Sequence, residues 1–212
     1  MRLMFKIIAW VGGILGVIGL IVYATLFDVW RVPIDDPQFG VAGLPTLAPG
    51  DVVLVTRRST TSFGSLVRCT DPDAPGRFVV GRVVGLTRDT VDLIQESLSV
   101  NNRHEPSSGN CDPQRVVVKV PATGQDLELV CLRQEFAGTE IEFLAAPDHQ
   151  EGTTHAVVEA GNVFLLSDNR HLHLDSRDFG QVVATSCQHI VYRMWGAEGM
   201  SSSPKRRFSF LW

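Results

Sequence analysis

The stretch from Ser167 to Gly180, SDNRHLHLDSRDFG, gathers the groups most able to do chemistry. Asp168, Arg170, His171, His173, Asp175, Arg177 and Asp178 stand within a few residues of Asn169 and Ser176. They follow the apolar run Asn162 to Leu166, so the sequence fixes polar groups at the end of a buried strand, where sites are commonly built. The same residues also suit a turn braced by short polar side chains. His171, His173 and Asp175 alternate, and in an extended segment all three would face one way as metal ligands. A second chemistry is a histidine base at His173 served by the hydroxyl of Thr46 or Ser176. The plainer alternative makes the histidines surface residues or proton-sensitive contacts.

The chain has 212 residues, 44% hydrophobic and 20% charged, enough for one packed domain or a domain with a smaller lobe. Its formal net charge of -4 supplies no basic face for nucleic acid, and that partner class is excluded. The four cysteines and six histidines form no Cys-x-x-Cys or His-x-x-x-His pair, so neither a metal nor another cofactor is expected.

Residues 7–27 carry no charge. A helix of that length rises about 30 Å, the thickness of a bilayer's hydrocarbon core. The run lacks the small-x-small ending of a cleaved signal, so it is expected to remain as a membrane anchor. Arg2 and Lys6 precede it and keep residues 1–6 cytoplasmic, which sends residues 28–212 to the far side of a bacterial inner membrane, with Trp30 at the outer interface. An oxidising compartment gives Cys69, Cys111, Cys131 and Cys187 a use as disulfides, with three pairings open. At the other end, Lys205 to Arg207 beside Phe208, Phe210, Leu211 and Trp212 suit either a membrane surface or a final strand.

Beyond the anchor the sequence reads as β structure. Ile34 to Gly50, rich in Pro, Gly and Asp, is expected to be irregular. Short β-branched runs follow at Val52–Val55, Phe78–Leu86, Thr90–Leu93, Val116–Val120, Leu127–Leu132, Glu140–Leu144, Ala156–Glu159, Val163–Leu166 and Ile190–Trp195. The expected architecture is mostly β and antiparallel, with a smaller lobe inserted at about 92–160 that is irregular around Asn101 to Pro113.

Five ordered blocks carry a resemblance. They are Arg31-Val32-Pro33 with Leu44-Pro45-Thr46-Leu47; Gly50 to Val55; Arg82-Val83-Val84-Gly85-Leu86 with Asp89-Thr90-Val91; Leu98 to Pro106; and Asp168-Asn169-Arg170 with Asp175-Ser176-Arg177 through Gly180. In this order they resemble the bacterial type I signal peptidases, membrane-anchored serine proteases that cut leader sequences from exported proteins. The resemblance implies a signal-peptidase-like antiparallel β domain. It also implies a site scaffold of Pro45, Thr46, Arg82, Asp168, Asn169, Arg170, Asp175, Ser176 and Arg177, in which Asp175 and Arg177 form a buried ion pair. That family attacks with a serine and takes the proton with a lysine of lowered pKa. Here Ala42 stands at the serine, Gly81 at the lysine, His173 at a supporting serine and Ser167 at a glycine. A methyl group cannot be acylated, and a hydrogen atom cannot accept a proton.

The resemblance with these departures implies a non-catalytic protein that binds exported polypeptides or assembles a membrane complex. Peptides would add as a strand at an exposed edge near Gly40 to Leu44, in a cleft that the small residues leave unfilled. The alternative is an active peptidase of the export pathway with a site rearranged around His173.

Overall fold

The computed structural model of the protein describes residues 2–58, 61–94, 97–136, 138–146, 152–196 and 208–211. Helix α1 (Arg2–Leu26) leads directly into strand β1 (Phe27–Arg31). The stretch Met4–Leu26 is long and apolar enough to cross a membrane, and none of its most apolar window is buried in the protein. Trp30, expected at an outer interface, is half-buried against the β domain, edge-on to Phe39 and Phe78 and beside the Arg68 guanidinium.

A helix, α2 (Pro37–Ala42), replaces the irregular chain expected there. Asp36 caps it by accepting from the Phe39 N–H at 3.0 Å, and Pro37 occupies the first turn, where its missing N–H costs nothing. Phe39 is buried and anchors the helix among Val32, Leu47, Val53 and Ile190. A Cβ added at Gly40 would come within 2.5 Å of Pro49 Cγ, so only glycine admits this approach.

The main sheet contains β1, β2 (Val52–Thr56), β3 (Leu66–Thr70), β4 (Phe78–Gly85), β12 (Asn162–Leu166), β13 (Val182–Val183), β14 (Cys187–Trp195) and β15 (Ser209–Phe210). Its order is β1-β2-β14-β3-β4-β12-β13, with β15 also on β14, and every pairing is antiparallel. Alternation shows on β2, where Val53 and Val55 are fully buried and their neighbours are half-buried. Central β4 is covered on both faces, so it reads as the nearly continuous apolar run Val79, Val80, Val83, Val84. The charge within it, Arg82, must therefore be paired.

Two smaller sheets complete the domain. One orders β11 (Thr153–Val157), β5 (Thr90–Ile94), β6 (Ser97–Val100) and β7 (Arg103–Glu105); the other orders β10 (Thr139–Ala145), β9 (Asp126–Phe136) and β8 (Ser107–Lys119). Strands β7 and β8 thus occupy the segment 101–113 that was expected to be irregular. Strand β8 accommodates Pro113 by a register shift between Asn110 and Arg115. The protein is mostly β with one N-terminal apolar helix. Disulfides join Cys69 to Cys187 and Cys111 to Cys131. Of the C-terminal alternatives, the described part is strand: β15 pairs with β14, and Leu211 enters the core. Lys205 to Arg207 lie outside the described residues.

Candidate functional site

Strand β12 delivers the chain to Ser167, and from there the loop is held by its own polar groups. The Ser167 N–H donates to Asp175 Oδ2 at 2.8 Å, and Ser167 Oγ accepts from the Leu174 N–H at 3.2 Å. The short helix α3 (Ser176–Phe179) then begins with Asp175 as its cap and Asp178 closing a capping box. Arg177 lies fork-on to Asp175, with Nε and Nη2 at 2.9 and 2.8 Å, and its Nη1 donates to the Arg170 carbonyl at 3.0 Å. The buried Asp175–Arg177 pair implied by the resemblance is therefore present. Ser176 Oγ accepts from the Leu165 N–H at 2.9 Å, which ties α3 back to β12.

Asp168, Asn169 and Arg170 fasten this loop to the rest of the protein. Asp168 receives Arg82 of β4 through two parallel bonds of 3.0 and 2.9 Å, while Arg82 Nη1 reaches the Gly64 carbonyl at 2.7 Å. Asn169 holds the end of α2: its N–H donates to the Ala42 carbonyl at 3.1 Å and its Nδ2 to the Val41 carbonyl at 3.1 Å. Arg170 is buried, lies 3.7 Å over the Phe143 ring and donates to Gln134.

Arg82, Asp168 and Asn169 come together with the end of α2, but among the described residues no strand edge lies there. The segment near Gly40 to Leu44 is helix and turn, not an exposed strand. Gly43 and Leu44 donate their N–H groups to Phe39 and Val41, and the carbonyls of Val41 and Ala42 receive Asn169. Ala42 itself is 4% exposed. At Gly81 a Cβ would sit 3.0 Å from Leu165 Cβ and 3.3 Å from the Leu166 carbonyl oxygen. A side chain there would need β12 to give by a few tenths of an ångström.

Thr46 and Pro45 belong to the turn after α2, where the Thr46 carbonyl receives Arg193. Arg193 also approaches Asp51 at 3.3 Å, and Asp51 accepts from the Ala48 N–H at 3.0 Å. These two buried residues and Gln134 escaped the sequence reading. A lone arginine inside the apolar run Ile190 to Trp195 was the available signal, because a buried guanidinium calls for a carboxylate.

The histidines separate. His173 groups with Asp175 and Asp178, while His171 falls outside that cluster. His173 Nδ1 lies 2.8 Å from Asp178 Oδ2. Burial works to lower the His173 pKa, but the hydrogen bond to Asp178, together with the charges of Asp175 and Asp178, outweighs burial and nearby Arg177 and raises it. For Asp178, burial works upward and is overcome by bonds from His173 and the Asp175 N–H, so its pKa falls.

The pair has a definite pH signature. A raised histidine pKa contributes stability that is full below the unfolded value of 6.5 and is lost as pH rises through the folded value. The depressed Asp178 pKa contributes stability that is full above 3.8 and is lost as pH falls through its lower folded value. Stability from this contact is therefore greatest between these two ordinary values and declines as pH rises through the folded value of His173. The change is less than about 1 kcal/mol because Asp178 is partly solvated. Urea midpoints of the wild type and His173→Gln across this range should converge at alkaline pH; parallel curves would contradict the assignment.

A family model described as "Signal peptidase, peptidase S26" matches residues 5–191. The chain belongs to the S26 signal peptidase family. Among solved structures, a signal peptidase I from Enterococcus faecalis V583 is similar at 21% identity, with 62% of this chain and 97% of that one covered and a TM-score of 0.39. A search of the curated proteins gives no match. The match takes in most of the N-terminal apolar helix together with the β domain.

Proposed function

We propose that this member of the signal peptidase family is a membrane-anchored, non-catalytic protein that serves as a binding or assembly subunit beside protein export. Helix α1 spans the bacterial inner membrane with its N-terminus cytoplasmic, and residues 28–212 stand on the periplasmic side. The two disulfides suit that oxidising compartment.

The observation that carries this reading is the pair Ala42 and Gly81 at the family's nucleophile and base. Neither side chain can take part in acyl transfer, and the surroundings of each are occupied: Asn169 holds the Ala42 carbonyl, and Leu165 crowds position 81. Ser167 Oγ and Ser176 Oγ both accept backbone N–H groups, which assigns the loop hydroxyls to holding the chain. Because α2 replaces a free edge near Ala42, assembly with another membrane protein through the anchor or α2 fits better than strand addition of an extended peptide there.

The test uses the full-length protein in detergent with a presecretory polypeptide as substrate. The wild type is expected to release no mature product. Restoring Ala42→Ser and Gly81→Lys together is expected to leave it inactive, because a side chain at 81 meets β12. Cleavage by the wild type sinks the reading. Cleavage by the restored variant alone would keep the wild type non-catalytic and show that the groove survives.

A further inference from the structure

The junction between the helix and the sheet carries two arginines that the site does not use. Lys6 and Phe27 bound the apolar run, and the 21 steps between them rise about 31 Å in a helix. That matches a hydrocarbon core of about 30 Å, so Phe27 lies at headgroup depth when α1 spans a bilayer. Tyr23 in the last turns of α1 packs on Phe27, with ring centroids 6.2 Å apart, and aromatic residues of this kind settle at membrane interfaces.

The turn after β2 meets this level. Phe27 pairs with Thr56, and the next residue closes on the helix end: the Arg57 N–H donates to the Leu26 carbonyl at 2.9 Å, and Arg57 Nε donates to the Phe27 carbonyl at 3.0 Å. Thr56 Oγ1 donates to the Arg58 carbonyl at 3.0 Å and orders the turn. These bonds satisfy carbonyls at the point where the helix ends. Both arginines are exposed. Arg68, Arg82, Arg177 and Arg193 each lie against a carboxylate; among the described residues none lies within ion-pair distance of Arg57 or Arg58.

We propose that Arg57 and Arg58 bind the phosphate of a lipid headgroup, with preference for anionic lipid, where the anchor enters the β domain. Guanidinium groups match phosphate oxygens in a bidentate fork, and a basic residue close to an anionic surface changes partition by about fivefold. Because Arg57 also bonds the helix end, the bound phosphate would fix how the domain sits on the membrane. The proposal rests on reading α1 as a membrane span.

The test is native mass spectrometry of the full-length protein released from nanodiscs of phosphatidylcholine mixed with phosphatidylglycerol. The wild type is expected to retain phosphatidylglycerol preferentially. Arg58→Gln, which leaves the Arg57 bonds intact, reduces that retention about fivefold, and Arg57→Gln with Arg58→Gln about 25-fold. Arg115→Gln, an equal charge change on the β8–β9 hairpin, leaves it unchanged. Equal retention by the double variant and the wild type overturns the site, and displacement of the lipid by an equal concentration of inorganic phosphate overturns its assignment to lipid. Carbonate extraction separates the two premises. A wild type washed from membranes refutes the span itself, whereas an integral protein with undiminished lipid in the double variant refutes the phosphate site alone.

Discussion

Asp168→Ala is expected to destabilise the β domain by about 3–5 kcal/mol. Arg82 and Asp168 are 2% and 4% exposed, so truncating the carboxylate leaves a guanidinium in the interior with only the Gly64 carbonyl and its remaining neighbours to replace two charged bonds. Arg82 cannot lose its proton to escape the cost. Urea denaturation of the full-length protein in detergent measures the effect. Replacing both partners together, Arg82→Met with Asp168→Leu, should recover most of the loss, because a well-packed apolar pair avoids the desolvation that the ions pay. A double variant as unstable as Asp168→Ala would show that the damage lies in packing rather than in an orphaned charge. The result bears on function because this pair holds the loop to β4, one residue from Gly81.

Removing the Cys69–Cys187 disulfide ranks second, with an expected cost of about 2–5 kcal/mol. The two residues face each other directly across β3 and β14, both fully buried, and are separated by 118 positions in the chain. Closing so long a loop removes more freedom from the unfolded chain than Cys111–Cys131, which is separated by 20. Cys69→Ala with Cys187→Ala should therefore lower the urea midpoint more than Cys111→Ala with Cys131→Ala. The reduced wild type should fall below both. The reverse order would mean that native packing around the bridges, not loop closure, sets their contributions.

Much of this fold is legible in the sequence where one period dominates. Val53 and Val55 alternate with half-buried neighbours, and Val79 to Val84 form a run suited to a strand covered on both faces. Elements set by single contacts were harder to read. Strand β3, Leu66 to Thr70, is interrupted by a charge, and only the structure shows Arg68 satisfied by Asp28 at 2.8 Å and Gln188 at 3.0 Å. Helix α2 carries an Asp cap and a first-turn proline, but six residues are too few to display a helical period. The loop from Ser167 to Gly180 shows its residues in sequence and conceals their partners. Asp175 and Arg177 are near neighbours in the chain, whereas Asp168 needs Arg82 from 86 positions away and Asn169 needs the carbonyl of Ala42. Whether Gly81 leaves a cleft or a filled contact depends on Leu165 of another strand, and residue type alone cannot say.

The central claim, a signal peptidase relative without its chemistry, meets its most direct test in one measurement. Purified full-length protein is incubated with a presecretory substrate in detergent, and the products are sized by mass spectrometry beside a His173→Ala variant. The account predicts intact substrate in both. A mature-length product from the wild type that disappears in His173→Ala would contradict it.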